Sequence, residues 1–218
     1  SIGPVEVSPE RMDLSEIQNN RFCFPDAEAA KEAEGYLDQK IAECDSVGGV
    51  VECVISGLPV GLGEPVFEKL DANLAKAILS IGAVKGFEIG DGFAATKACG
   101  SENNDEFRMD GDKIVKETNH AGGVLGGISD GSDVIFRAAF KPTPSIAKSQ
   151  ETVTKDGENI DLVIHGRHDP VVVPRAVVVV ESMAAITAMD MLLMSMTSRL
   201  DLIQMFFQVE NVDDSPEQ

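Results

Sequence analysis

The segment "TNHAGGVLGGISDG", residues 118–131, places five glycines within fourteen residues. An ordered glycine loses more conformational entropy on folding than any other residue, so this density needs a physical reason. The segment is not a phosphate-binding P-loop, because no Lys-Ser/Thr pair follows the glycines, and its spacing does not match GxGxxG. Two interpretations remain: sharp turns with close backbone packing, or a bare backbone wall against which a planar or phosphorylated ligand lies.

The segments on both sides of the glycines mix strand and helix patterns. Residues 26–44 predict a helix capped by Asp26. Residues 61–81 predict a loop and a second helix, and residues 176–207 a long apolar one. Strands are predicted within 46–59, 83–96, 133–146 and 159–175, and a polar loop or hairpin within 100–117. Because the strands lack a regular βαβ rhythm, the sequence predicts an α+β fold with antiparallel sheet.

Apolar periodicity predicts which helical residues are buried. In the second helix the apolar face contains Phe67, Leu70, Leu74 and Ile78. In the long helix the expected buried residues are Met183, Ile186, Met189, Leu193 and Met196.

Charge and cysteine content narrow the function classes. The formal net charge is -19, with 37 acidic and 18 basic residues, and such a surface repels nucleic acid and anionic membranes. The four cysteines fall in no metal-binding spacing, which favours reduced thiols in a cytoplasmic protein without a bound metal. Pro174 and Arg175 interrupt the longest apolar runs, so no segment is expected to span a bilayer.

Two further motifs carry charged or hydroxyl side chains of the kinds that bind ligands or transfer protons. "KPTPS", residues 141–145, combines a compact cation and two hydroxyls in a turn that prolines stiffen; it is either an ordinary surface turn or a grip for an anion or carbonyl. "GRHDP", residues 166–170, sets Asp169 close to Arg167 at a predicted strand end. That pair is either a structural ion pair or a carboxylate placed to hold a proton.

Taken together, these motifs resemble the carboxyl-terminal part of chorismate synthase. The resembling blocks occur in the family's order and with matching gaps, from about Val47 to Leu193, and a weaker likeness reaches the start of the chain. The blocks are "GLGEPVFEKLDANLAKAILSIGAVKGFEIGDGF", "GSENNDEF", "TNHAGGVLGGISDG", "FKPTPSI" and "GRHDPVVVPRAVVVVESM". Any one of them is a weak signal, whereas five in order are specific.

The resemblance implies an activity and an architecture. Family members eliminate phosphate from 5-enolpyruvylshikimate 3-phosphate in an anti-1,4 sense, giving chorismate, and need reduced FMN; some use NADPH to reduce it. The implied fold is a β-α-β sandwich with antiparallel sheets and flanking helices, in a cytoplasmic enzyme that is usually a homotetramer. Residues 1–208 are expected to form a single domain, and residues 209–218 a disordered acidic tail.

The resemblance also implies site residues by motif. Asp169 matches the aspartate that handles a proton at the flavin ring. The positions that match flavin contacts are Gly82, Ala83, Asn119, Gly126, Lys141, Pro142, Thr143, Pro144, Ser145 and Arg167. On this interpretation the glycines form a wall on which the flavin lies.

The sequence departs from the family pattern in one major respect. The amino-terminal part of the family, with two catalytic histidines and an arginine-rich surface, has no counterpart here; His120, His165 and His168 do not match those histidines. Two hypotheses follow. Either the chain is part of a chorismate synthase and is inactive alone, or it is a catalytically silent module for flavin binding or oligomerisation.

Overall fold

The computed structural model describes residues 1–166 and 168–207. Arg167 and the predicted acidic tail, residues 209–218, therefore lie outside the described residues. The α-helices are α1 (Ala27–Ala42), α2 (Leu70–Leu79), α3 (Gly100–Asn103), α4 (Val173–Thr197) and α5 (Leu200–Phe207). The strands are β1 (Gly49–Ile55), β2 (Val84–Ile89), β3 (Phe107–Asp110), β4 (Lys113–Lys116), β5 (Val124–Leu125), β6 (Ile128–Ser129), β7 (Val134–Phe140), β8 (Gln150–Val153) and β9 (Asn159–Leu162).

A three-stranded antiparallel sheet with β7 at its centre organises the fold. β1 and β2 pair with the two edges of β7, in the order β1-β7-β2. Alternate residues of β7 are buried, as a strand with one face on the core requires: Val134, Phe136, Ala138 and Phe140. The pairs β3–β4, β5–β6 and β8–β9 form separate antiparallel hairpins. The predicted α+β class with antiparallel sheet and flanking helices is confirmed.

Helix α1 begins where the sequence predicts. The buried Asp26 side chain accepts hydrogen bonds from the backbone N–H groups of Glu28 and Ala29, which satisfies donors of the first turn. Arg11 also pairs with Asp26 at 2.9 Å. The Arg11 side-chain hydrogen bond, followed by the Ala29 amide, lowers the pKa of Asp26 to about 2, so the cap is ionised at neutral pH.

Helix α2 packs against β2 and α4 through the predicted face, with one correction. Leu70, Leu74 and Ile78 are fully buried. Phe67, in contrast, is 85% exposed, so its predicted burial is wrong. The helix begins only at Leu70, and Phe67 therefore lies in the preceding loop, where helical periodicity does not apply.

Helix α4 packs through a different face from the one predicted. Ile186, Met189, Leu193 and Met196 are exposed and Met183 is half-buried. The buried residues are Val173, Ala176, Val180, Ala184, Thr187, Ala188 and Met191. Because α4 is apolar on all sides, its periodicity does not identify the packed face. The face toward β1 and α2 carries the small residues Ala176, Ala184 and Ala188, which let the helix approach closely.

The expectation that no segment is long enough to span a bilayer is also wrong as to length. Residues 173–197 form a helix that is long and apolar enough to cross a membrane by length and composition. Pro174 lies in the first turn of α4, where the helix tolerates it, and so it does not divide the segment. Only 28% of its most apolar 18-residue stretch is buried, and the exposed apolar residues of α4 include Val178, Ile186, Met189 and Leu193.

The corrected register of α4 gives a direct test. In the 218-residue chain, Met191→Ala should lower the free energy of unfolding by about 2–5 kcal/mol, because it removes a buried side chain and leaves a cavity. Met189→Ala, two residues away on the exposed face, should change it by less than about 0.5 kcal/mol. Urea denaturation measures both values. A larger loss for Met189→Ala would mean that α4 packs through the face that periodicity predicted.

Candidate functional site

The KPTPS turn and the segment before β2 meet at one end of the sheet. The turn follows β7 directly, and the backbone N–H of Lys141 donates to the carbonyl of Ala83 at 2.9 Å. The adjacent pair Val84 and Phe140 is the last register pair between the two strands at this end. The structure therefore brings Ala83, and Gly82 next to it, beside Lys141, the first residue of the KPTPS turn.

Asp169 reaches the same end of the sheet through the segment that enters β1. The Ser46 hydroxyl donates to the carbonyl of Thr143 at 2.6 Å. Its neighbour Val47 donates its N–H to the carbonyl of Pro170 at 2.8 Å. Residues 46–47 thus tie the KPTPS turn to the residue that follows Asp169. We name this group of residues (Gly82, Ala83, Lys141–Ser145 and Asp169) the β7-exit group.

The partner of Asp169 differs from the one considered in the sequence. Its carboxylate accepts a hydrogen bond from the Arg175 guanidinium at 2.6 Å, and its side chain is 34% exposed. Arg175 lies in the first turn of α4, six residues further along the chain. Arg167, the partner that the sequence suggested, is outside the described residues. Asp169 is therefore held by a side chain on a rigid helix while one third of it faces outward.

The backbone of the β7-exit group has one unusual feature. Ala83 has φ of 71°, a left-handed conformation that a residue with a Cβ seldom adopts. Such backbone persists only where the surroundings impose it, and it concentrates at ligand sites. Here the hydrogen bond from Lys141 holds the Ala83 carbonyl. At Gly82 an added Cβ would meet no atom within 4 Å, so the surface in front of this backbone is open.

Asn119 and Gly126 lie at the opposite end of the sheet. Ile135, near the start of β7, donates its N–H to the carbonyl of Gly122, and Gly90, just after β2, donates to Ile135. The glycine segment therefore surrounds the entry to β7, whereas the KPTPS turn follows its exit. Since β7 has seven residues, the two ends are about 20 Å apart. The predicted flavin contacts thus form two separate groups within this chain.

The Asn119 side chain is engaged within the protein. Its carbonyl oxygen accepts from the N–H of Gly123 at 2.8 Å and from the Lys116 ammonium at 3.2 Å. Its amide nitrogen donates to the carbonyl of Asp133 at 2.8 Å. These bonds give Asn119 a structural role in shaping the glycine segment, and flavin contact by this residue remains a prediction.

Glycine is required at different positions of the segment for different physical reasons. Gly126 and Gly127 form the two-residue turn between β5 and β6, with φ of 61° and 89°, the combination that hairpin turns of this type require. Gly123 lies against backbone: an added Cβ would be 2.5 Å from the carbonyl oxygen of Asp133. At Gly126 an added Cβ would meet nothing within 4 Å. Turns and backbone packing account for most of the glycines, and the tip at Gly126 is the part that is open to a ligand.

A buried charged cluster supports the glycine segment, and no sequence motif indicates it. The Lys116 ammonium contacts the carboxylates of Asp105 at 3.3 Å and Asp130 at 2.7 Å, and all three side chains are at least 93% buried. Burial alone raises the pKa of Asp105, but hydrogen bonds from Ala121, Thr118 and His120 outweigh it and hold the pKa well below its usual range. The three charges are scattered among other charged residues of a polar stretch, so no spacing rule could single them out.

Two clefts adjoin this cluster rather than the β7-exit group. One, of about 550 Å³, is lined by Asn104, Asp105, Phe107 and Leu125, among others. The second, of about 510 Å³, lies between β2 and the glycine segment. Neither of these two clefts is lined by Lys141–Ser145 or Asp169.

Comparison with known proteins gives a consistent result. The family profile of chorismate synthase matches residues 1–193. The chain is 62% identical to the chorismate synthase of Agathobacter rectalis over 208 residues, which cover 95% of the chain and 57% of that relative. It is 59% identical to the enzyme of Lachnoclostridium phytofermentans, with the same coverage. A crystal structure of chorismate synthase, 30% identical, superposes with a TM-score of 0.73 over 90% of this chain and 56% of that one.

The different reasons for the glycines predict different costs of substitution. Gly126→Ala should reduce the free energy of unfolding by about 1–2 kcal/mol, since the only penalty is the left-handed backbone. Gly123→Ala adds overpacking against the Asp133 carbonyl and should cost about 2–5 kcal/mol. Chemical denaturation of the two variants checks the order. Equal costs would show that the backbone of Gly123 is not packed as described.

Proposed function

The chain belongs to the chorismate synthase family, and we propose that the protein of which it forms part converts 5-enolpyruvylshikimate 3-phosphate to chorismate with reduced FMN. The chain spans about 57% of the length of the curated relatives it matches, so the activity is proposed for the whole protein. The observation that carries the proposal is the β7-exit group, in which the family motifs from three distant parts of the chain converge.

The β7-exit group fits the chemistry of a flavin. Lys141 is exposed and supplies a positive charge, while Thr143 and Ser145 supply hydroxyl groups from a half-buried turn. These donors suit a phosphate or the polar atoms of an isoalloxazine ring, and the prolines between them keep the turn stiff. Gly82 presents bare backbone beside Lys141, and Ala83 adds only a methyl group. Reduced FMN, when bound, supplies the electron density that assists loss of the phosphate and of the C6 proton.

Asp169 is the group of this chain best placed to handle a proton. It lies at the same end of the sheet as the KPTPS turn, and its bond to Arg175 orients one carboxylate oxygen. The other oxygen would accept a proton at the flavin ring and return it. Arg175 lies in the first turn of α4, so the Asp169–Arg175 bond joins the loop that carries Asp169 to the helix.

The net charge supports a division of labour within the whole protein, in which this chain contacts the flavin and the remaining part supplies most of the positive charge. The substrate and FMN are both anionic, whereas this chain has a net charge of -19. Lys141 is the cation of the β7-exit group, and Arg175 pairs with its Asp169. Most phosphate-binding positive charge is therefore proposed to come from the remaining part of the protein, together with the catalytic histidines of the family.

The remaining properties that the resemblance implies are part of the same proposal. We expect a cytoplasmic homotetramer that binds neither nucleic acid nor membrane, and the strongly acidic surface supports this expectation. Whether NADPH or an external donor reduces the flavin distinguishes members of the family, and the β7-exit group offers no separate nucleotide motif.

The division of labour predicts that the 218-residue chain alone does not turn over. With reduced FMN and 5-enolpyruvylshikimate 3-phosphate in excess, phosphate release should equal that of a protein-free control. The whole protein at its natural length should release phosphate under the same conditions. Inactivity of both would favour a catalytically silent flavin-binding or oligomerisation module, and activity of the chain alone would refute the division.

Asp169→Asn in the whole protein tests the proton-handling role. The substitution keeps size and shape but removes the basic oxygen, so turnover per bound flavin should fall by about 10²–10⁴-fold, the usual contribution of a general acid–base group. FMN affinity should change little. Single-turnover rates, flavin titration and melting temperature measure the three quantities.

The matched control is Asp161→Asn, the same change at an exposed position of β9. It should leave all three quantities unaltered. If Asp169 serves only to hold Arg175, the pattern reverses: Asp169→Asn lowers the melting temperature and FMN affinity, while the rate per bound flavin stays within a few-fold of the unmodified protein.

A further inference from the structure

The ammonium group of Lys116 bonds to residues near both ends of the glycine segment. Lys116, the last residue of β4, directs its Nζ to Asn119 Oδ1 at 3.2 Å and to Asp130 Oδ2 at 2.7 Å. These two residues lie before the first glycine of the segment and just before the last one. The third acceptor is Asp105 Oδ2 at 3.3 Å, so all three donors of the ammonium have a partner within the protein.

The carboxylates of Asp105 and Asp130, which bond to Lys116, also accept hydrogen bonds from backbone N–H groups. Asp105 accepts the N–H groups of His120 and Ala121 at 2.8 and 3.0 Å. Asp130 accepts the N–H of Ser132 at 2.9 Å and donates its own N–H to the carbonyl of Gly123. Residues 119–131 are thus held near both ends. Between these ends Ser129 bonds the hairpin to the segment before α2, because its N–H donates to the carbonyl of Leu62 at 2.9 Å. The tip meets α2, because Leu70 donates its N–H to the carbonyl of Gly127 at 2.8 Å.

Stability alone is a weak reason for such a cluster. A buried ion pair costs much of its attraction in desolvation, and apolar side chains of similar volume often stabilise a protein as well. Charged groups with several directed hydrogen bonds do, however, select one backbone arrangement over near alternatives. This selection matters for a segment with five glycines, which otherwise has access to many conformations of similar energy.

We infer that Lys116 is a positioning residue that holds residues 119–131 in the arrangement in which the Gly126 tip receives the flavin. This inference rests on the proposed function. Lys116 itself does not contact the cofactor, since its side chain is only 3% exposed and its donors are occupied by Asp105, Asn119 and Asp130. Its effect on flavin binding is therefore transmitted through the backbone of the glycine segment.

The experiment compares Lys116→Met with Lys113→Met in the whole protein. Both changes remove an ammonium from β4 and keep a long side chain, but Lys113 is exposed at the other end of the strand. In the absence of flavin, Lys116→Met should speed hydrogen exchange of the amides of residues 119–131. It should also weaken FMN affinity at least about tenfold, because the glycine segment then adopts the binding arrangement in only a fraction of the molecules. Lys113→Met should change neither. Asp130→Asn is a milder variant that keeps the Lys116–Asp105 pair, and it should shift both readouts in the same direction.

The outcomes separate this inference from the proposal on which it rests. Failure of the unmodified protein to bind FMN would overturn the proposed function, and with it the flavin role of the segment. If the unmodified protein binds FMN, and folded Lys116→Met and Asp130→Asn bind it equally well, the positioning role is overturned. A lower melting temperature with unchanged FMN affinity of the folded fraction would likewise reduce the cluster to a structural one. Should Lys116→Met not fold, the comparison of Asp130→Asn with the unmodified protein decides.

Discussion

Strand β7 is the element on which both the fold and the candidate site depend. Both of its edges are hydrogen-bonded, to β1 and to β2, and one of its faces is buried from end to end. A strand fixed in this way cannot slide, because a shift of one residue would turn its apolar face outward. The positions of its two ends are therefore fixed relative to the rest of the sheet. The glycine segment enters at one end and the KPTPS turn leaves at the other, so β7 sets the separation of the two groups of family motifs.

The two ends of β7 are built in different ways. At the exit, backbone hydrogen bonds and a single serine hydroxyl join the converging segments, and the side chains of Lys141 and Asp169 remain partly exposed. At the entry, the charged side chains of Lys116, Asp105 and Asp130 are buried and paired with one another. Exposed charge is suited to bind a ligand, whereas buried and paired charge is suited to fix a backbone. The contrast supports a contact role for the exit and a positioning role for the entry.

Helix α4 has an apolar outer face as well as a packed one. It packs on the sheet through small residues, yet leaves Val178, Ile186, Met189 and Leu193 exposed along its outer face. A helix that is apolar on all sides is normally covered on all sides. The chain matches about 57% of the length of its Agathobacter rectalis relative, and among the described residues nothing covers the outer face of α4. The same helix positions Asp169 through Arg175, so its packing also bears on the candidate site.

The sequence by itself determined the family, the main helices and the strands of the central sheet, because caps, turns and β-branched runs act locally and five motifs in order are specific. It placed the Asp26 cap, the buried Leu70, Leu74 and Ile78, and the motif residues of the β7-exit group. Only the tertiary structure decided which face of α4 is buried, since helical periodicity carries no information when every face is apolar. It also decided that Asp169 pairs with Arg175, that Asn119 is engaged in the loop, and that Lys116 joins Asp105 and Asp130. Those contacts form only when the chain folds back on itself. The sequence does not reveal them, because long-range pairing depends on distance in space and not on spacing along the chain.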